Sequence, residues 1–101
     1  MKIPKTVKVG RVTYNVVRTP LVRHKGRPAL GYINYTTHEI FICTHSALHG
    51  AAISKREQFD TFWHELTHAI LRHMHHAIND DEKFVTTFAT ELTNAILSVE
   101  L

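Results

Sequence analysis

The chain has 101 residues, of which 44% are hydrophobic and 21% are charged. This length and composition are typical of a small globular protein, and we predict a single domain that spans residues 1–101. The net charge of +3 is small and the cations form no arginine-rich run, so we expect no nucleic-acid partner. A single cysteine excludes an internal disulfide, and residues 1–5 lack the apolar run of a signal peptide. We therefore expect a cytoplasmic protein that does not enter a membrane.

Alternating apolar and polar residues predict two β-hairpins in the first half of the chain. The first spans residues 6–18, and the second pairs residues 30–35 with residues 39–43. Cys43 ends the last apolar run and is predicted to be a small buried residue, not a metal ligand. Residues 19–29 hold two prolines, a glycine and several cations, which favours a loop or a frayed strand.

Two helices are predicted in the second half. No Pro or Gly interrupts residues 51–101, and Ser54 with Glu57 forms a capping box that begins the first helix. A last helix starts near Asp80 or Asp81, because apolar residues recur beyond it at helical spacing: Phe84, Val85, Phe88, Leu92, Ala95, Ile96 and Val99. About four strands in antiparallel hairpins, followed by two helices, predict an α+β fold.

The first of these helices carries the residues with the clearest chemistry. Five of the nine histidines fall between positions 64 and 76, and residues 64–68 match the H-E-x-x-H pattern. Residues four apart share one helix face, so His64 and His68 can offer imidazole nitrogens to one metal ion. Glu65 lies about 100° further round the helix. That position favours a base for metal-bound water over a third ligand.

The flanking residues support a helix at the motif. The residues roughly opposite His64 are aromatic or aliphatic and are expected to face the core: Phe59, Phe62, Trp63, Leu66, Ala69 and Ile70. The histidines lie on the other side. The alternative is a surface helix whose two histidines are merely solvated.

A catalytic zinc site normally has three protein ligands and one open position, so a further ligand is required. His73 points to the core side, and His75 lies about 10 Å further along the helix axis, so neither fits. The start of the last helix is the remaining source. Glu82, 14 residues after His68, is favoured there, and Asp80-Asp81 supplies the alternatives.

The sequence resembles small zinc-peptidase-like proteins of bacteriophages and mobile elements, distant relatives of the ImmA/IrrE metallopeptidases. The matching stretches are residues 31–42, with the pattern G-x-I-x-Y-x-x-x-x-I-x-I, residues 64–71, H-E-L-T-H-A-I-L, and residues 81–85. The likeness runs from about residue 7 to residue 98, and only the helical motif is highly specific. It implies a zincin-like fold with Glu82 as the carboxylate ligand, in the two-histidine, one-glutamate arrangement of gluzincins.

One position departs from the gluzincin pattern. Many gluzincins place an aspartate four residues after the ligand glutamate, and here that position is Thr86. A carboxylate that orients a ligand histidine must then come from elsewhere, with Asp60 and Glu91 as candidates, or be absent.

Together these residues predict a zinc-dependent metallopeptidase acting on a peptide or protein substrate. His64, His68 and Glu82 would hold Zn²⁺, and Glu65 would be the general base. The candidates for a second oxyanion donor are Tyr32, Tyr35, His38, His45, His49 and His76. The strand at residues 39–43 is expected to be an edge strand that pairs with extended substrate, as in zincins.

A non-catalytic protein is the main alternative. In it, zinc would only stabilise the two helices, and the surface would bind a host or phage protein. A DNA-binding role is the weakest candidate, because the cations are diffuse. The sequence leaves the oligomeric state and the cleavage preference open.

Overall fold

The computed structural model describes residues 2–99, in which a sheet is followed by two helices. The strands are β1 Thr6–Val9, β2 Val12–Thr19, β3 Arg23–His24, β4 Arg27–Pro28, β5 Gly31–Asn34 and β6 Glu39–Cys43. The helices are α1 Lys55–His73 and α2 Glu82–Leu97, joined through a 3-10 turn at Ala77–Asp80. This order confirms the predicted α+β class. Across residues 2–99, no helix combines the length and apolarity needed to cross a bilayer.

Both predicted hairpins are present, β1 with β2 and β5 with β6, each antiparallel. A parallel pairing of β2 with β6 joins them into one sheet in the order β1-β2-β6-β5. The most apolar strand, β6, is central because Ile40, Ile42 and Cys43 are all buried. The prediction that residues 39–43 form an edge strand is therefore wrong. β6 is paired on both sides, and the edges of the sheet are β1 and β5.

Residues 19–29 are more ordered than a frayed strand. β3 and β4 form a second, two-stranded ladder in which Arg23 pairs with Pro28 and His24 with Arg27. Lys25 and Gly26 connect them with positive φ angles of 54° and 75°, as a two-residue type I′ turn requires. We call residues 23–28 the basic hairpin.

Helix α1 packs its predicted apolar face against the sheet. Ser54 caps it by accepting a hydrogen bond from the Glu57 N–H at 3.1 Å, as the capping box predicts. Phe62, Leu66 and Ala69 join one core cluster with the inward residues of the strands: Val9, Tyr14, Ile33, Ile40 and Ile42. Burial was wrongly predicted for Ile70, which lies at the margin of the apolar sector and is 41% exposed.

Helix α2 packs on α1 through small residues. Its buried positions are Val85, Ala89 and Thr93, spaced four apart, and short side chains let the helix backbones approach closely. The helix is present as predicted, but Phe84 and Phe88 stack on each other on its outer side, 37% and 45% exposed. The two aromatic residues of the apolar pattern, Phe84 and Phe88, are therefore not the residues that face α1.

Candidate metal centre

His64 and His68 lie one turn apart on α1, with ring centroids 5.0 Å apart. Both side chains are largely buried, at 22% and 14% exposure. Both Nε2 atoms face the carboxylate of Glu82, His64 at 2.6 Å from Oε1 and His68 at 3.1 Å from Oε2. The structure thus brings together the two histidines and the glutamate that the sequence analysis selected from separate helices.

The reversal after α1 carries Glu82 back to the histidines. The chain turns at His75, whose φ of 54° takes it out of the helical path. Asp81 then caps α2 by accepting a hydrogen bond from the Phe84 N–H at 3.0 Å, so Glu82 is the first helical residue. Among residues 2–99, neither Asp80 nor Asp81 pairs with an imidazole of the motif. Asp81 serves as a cap instead.

A second carboxylate, that of Glu65, lies beside the same imidazoles. His64, Glu65 and His68 each place one ligand atom within 4.8 Å of the others, so this group can hold a metal ion. Glu65 is only 7% exposed, whereas the Glu82 side chain is 65% exposed. Two carboxylates of opposite character, one buried and one open to solvent, therefore face the histidine pair.

Burial sets the protonation chemistry of these groups. It raises the pKa of Glu65 to about 7, with the Glu82 charge adding to the rise and the His68 charge opposing it. Burial also lowers the pKa of His64, against the opposing effect of the Glu82 carboxylate. A neutral imidazole can bind a metal, and a carboxyl that titrates near neutral pH can exchange protons with water.

Gly31 of β5 makes room for Glu65. A Cβ atom at position 31 would lie 2.5 Å from Cγ2 of Thr61 and 3.1 Å from Oε2 of Glu65. The first contact is shorter than real Cβ atoms tolerate, so any other residue at position 31 would require the Thr61 side chain or the strand to shift. The absence of a side chain lets the edge strand pass directly over the buried carboxylate.

The partner of His68 is an amide that the sequence analysis missed. Asn79, in the 3-10 turn, places Oδ1 at 2.7 Å from Nδ1 of His68. A proton on Nδ1 donates to this oxygen, which fixes the ring and leaves the Nε2 lone pair for a cation. Of the two carboxylates considered for this role, Asp60 instead accepts a hydrogen bond from Thr93 at 3.1 Å, and Glu91 is exposed on α2.

The candidate metal centre opens into a cleft of about 450 Å³ between α1 and the strand edge. It is lined by His24, Gly31, Tyr32, Ile33, Tyr35, His64, Glu65, His68 and Glu82. Two predicted oxyanion donors, Tyr32 and Tyr35, therefore lie in the cleft. The sequence analysis did not identify His24 as a residue of the cleft. The Tyr35 ring lies 4.0 Å beneath the Arg72 guanidinium. Burial raises the Tyr35 pKa despite that cation, so its hydroxyl keeps its proton as a donor.

The remaining histidine candidates lie elsewhere. His38 packs edge-on against Tyr14, His45 contacts the Thr44 hydroxyl through Nδ1, and the His76 ring accepts from the Ile78 N–H. His49 is exposed in the connection before α1.

The three groups that sequence analysis set aside as ligands are also outside the site. His73 lies against the turn at Gly10, and His75 is exposed where the chain reverses. Cys43 is buried, and its Sγ lies 3.0 Å from the His45 carbonyl oxygen. Cys43 is buried as predicted, whereas His73, which was expected to point to the core side, is exposed.

The chain matches no protein-family model, and searches of curated proteins and of solved structures find no similar protein. The resemblance to phage zinc-peptidase-like proteins therefore stays a prediction, and the geometry of the cleft is the feature that bears on function.

Proposed function

We propose that the protein is a zinc-dependent peptidase in which His64, His68 and Glu82 hold the ion and Glu65 is the general base. The observation that supports it most is the convergence of two imidazole nitrogens and a carboxylate beside a second, buried carboxylate in one cleft. Structural zinc sites use four protein ligands, whereas three ligands and an open cleft are typical of a catalytic site.

The donor set fits zinc better than the common hard cations. Magnesium and calcium prefer shells made of oxygen alone, whereas zinc readily combines imidazole nitrogen with carboxylate oxygen. The lowered pKa of His64 favours a neutral ring, and the Asn79 hydrogen bond at Nδ1 of His68 leaves Nε2 as the atom that faces a cation.

Zinc, when bound, would supply a coordinated water of lowered pKa and polarise the scissile carbonyl. Glu65 would accept the proton that this water gives up as its oxygen bonds to the carbonyl carbon. The same carboxyl would then donate the proton to the amine nitrogen as the C–N bond breaks.

The strand side of the cleft would hold the substrate. The outer edge of β5 has no strand partner among residues 2–99, so it can pair with an extended peptide. Tyr32 and Tyr35 line the same cleft, and a hydroxyl there can donate a hydrogen bond to the carbonyl oxygen as negative charge develops on it.

The test is peptide hydrolysis by zinc-loaded wild type and by Glu65→Gln, on a mixture of unstructured peptides followed by mass spectrometry. The variant keeps the shape of the side chain and removes the base. We expect zinc content to persist and the cleavage rate to fall by about 10²–10⁴-fold. If the protein only binds a partner through a zinc-stabilised surface, neither protein will cleave. Equal cleavage rates for wild type and Glu65→Gln would show that Glu65 is not the general base.

A further inference from the structure

Charge is divided unequally between the two halves of the chain. No Asp or Glu precedes Glu39, whereas eight of the twelve Lys and Arg residues lie before it: Lys2, Lys5, Lys8, Arg11, Arg18, Arg23, Lys25 and Arg27. Of the strands that carry these cations, only β3 contributes to the lining of the cleft, through His24, and the helices on the other side carry Glu65 and Glu82. Among the cations of the N-terminal half, those of the basic hairpin are therefore the ones that adjoin the cleft.

The basic hairpin lies at the mouth of the cleft. His24 lines the cleft, and its ring lies 4.9 Å from that of Tyr32 on β5. Arg27 is directly opposite His24 in the ladder, and cross-strand partners project from the same face. Arg27 thus shares the face of the hairpin that is turned to the cleft. Arg23, which pairs with Pro28, projects from the other face.

The Arg27 side chain has no binding partner within residues 2–99. No carboxylate pairs with it and no hydrogen bond holds it, whereas Arg18 donates to Gln58 and Arg23 donates to the Gly26 carbonyl. A free guanidinium is a planar fork of donors that matches a carboxylate. Of the two arginines in the basic hairpin, Arg27 is therefore the one that faces the cleft and the one whose side chain has no partner within residues 2–99.

We propose that the cleft selects extended peptides with an acidic side chain beside the bond to be cut, and that Arg27 is the residue that recognises it. A peptide paired along β5 would pass beside the basic hairpin, whose His24 ring lies 4.9 Å from that of Tyr32, and an acidic side chain there would meet the Arg27 guanidinium. This inference takes the cleft to be the peptidase site proposed above, but the binding preference can be measured without cleavage.

The experiment uses zinc-loaded Glu65→Gln protein, which should not consume its ligand, and peptides of about ten residues, enough to span about 33 Å when extended. The peptides are acetylated and amidated, so their only carboxylate is a single Glu moved through each position. A matching series carries Gln instead. A neutral peptide with a free C-terminus tests whether a terminal carboxylate serves equally well. Affinities come from titration calorimetry.

We expect at least one Glu position to bind about fivefold more tightly than its Gln counterpart, the range of an exposed ion pair. When Arg27→Ser is added to the Glu65→Gln protein, the ratio of the affinities for the Glu and Gln peptides should fall to about one. Arg27→Lys in the same background should retain part of the preference for Glu. Arg23→Ser removes the same charge from the other face of the hairpin and should leave the ratio unchanged.

The inference is overturned if no Glu position is preferred or if the preference survives in Arg27→Ser. It is also overturned if Arg23→Ser abolishes the preference as Arg27→Ser does, or if the neutral peptide with a free C-terminus binds as tightly as the best Glu peptide. Hydrolysis of the same peptides by wild type separates the two proposals. Cleavage without a Glu preference contradicts only the role of Arg27, and a Glu preference without cleavage contradicts only the peptidase.

Discussion

The helical wall of the cleft, which carries His64, Glu65 and His68, is fixed by residues within little more than one turn of α1. The strand wall, formed by β5 and the basic hairpin, is built from local hairpins, but the parallel pairing of β6 with the distant β2 sets its position in the sheet. The helical groups are largely buried, and burial shifts two of their pKa values, whereas the hairpin cations are exposed. In our proposal the helical wall carries out the chemistry and the strand wall selects the substrate.

The largest effect is expected from the buried carboxyl of the helical wall. The pKa of Glu65 is about 7 when folded, against 4.5 for an unperturbed glutamate. Because the folded value is higher, the folded metal-free protein binds this proton more tightly than the unfolded chain does. The free energy of unfolding should therefore fall between pH 4.5 and pH 7, by about 3 kcal/mol from this group.

Urea unfolding of metal-free wild type and Glu65→Gln across this pH range measures the contribution. The other titrating groups are shared, so the difference between the two proteins isolates Glu65. Wild type should lose stability relative to the variant as the pH rises. A difference that is constant with pH would mean that Glu65 is not buried as described.

The contact between the two walls is tested at Gly31. Gly31→Ala places a Cβ 2.5 Å from Cγ2 of Thr61, and overpacking of this kind costs about 1–3 kcal/mol. Thr61→Ser can remove that methyl group, so the double variant should recover part of the lost stability, with Thr61→Ser alone as the control. Thermal unfolding measures all four proteins. Additive effects would show that β5 does not press against α1 at this point.

The amide that holds His68 should matter less than a ligand but more than a surface residue. Asn79→Ala removes the acceptor 2.7 Å from Nδ1, and losing such a partner typically lowers metal affinity by about 10–100-fold. Competition with a zinc-binding dye measures the affinity. Asn94→Ala, on α2 and hydrogen-bonded to Arg56, is the matched control and should bind zinc as wild type does. Equal affinities for the two variants would contradict the role given to Asn79.

The smallest effect is expected from the helix caps. Ser54→Ala and Asp81→Ala each remove a side-chain acceptor at a helix start, at a cost of about 1 kcal/mol. Only Asp81 precedes the residue that faces the histidines, so only its variant should also weaken zinc binding. Unfolding midpoints and zinc titrations distinguish the two. Similar zinc affinities in both variants would show that the start of α2 does not position Glu82.

The residues of the helical wall could be predicted from the sequence more completely than those of the strand wall. His64, Glu65 and His68 were identified because helical periodicity places them without knowledge of the rest of the fold. Glu82 was favoured by its spacing and then chosen through a family resemblance, and its meeting with both imidazoles required the reversal at His75. Nothing in the local pattern of residues 77–80 indicates that Asn79 reaches His68.

The strand wall was predicted less completely. Both long hairpins follow from alternation and turn residues, but the parallel pairing of β2 with β6 depends on which strand buries the most apolar surface. That pairing turns β6 from an expected edge into the centre of the sheet. It also leaves β5 and the basic hairpin at the cleft.

The most direct test of the account is the zinc content of wild type, Glu82→Gln and Glu65→Gln, measured by mass spectrometry after dialysis. Each variant removes one of the two carboxylates that lie beside His64 and His68. Glu82→Gln removes the exposed one and Glu65→Gln removes the buried one. The account predicts about one zinc per chain in wild type and in Glu65→Gln, and its loss in Glu82→Gln. Retention in Glu82→Gln together with loss in Glu65→Gln would contradict it, because the buried carboxylate would then be the ligand.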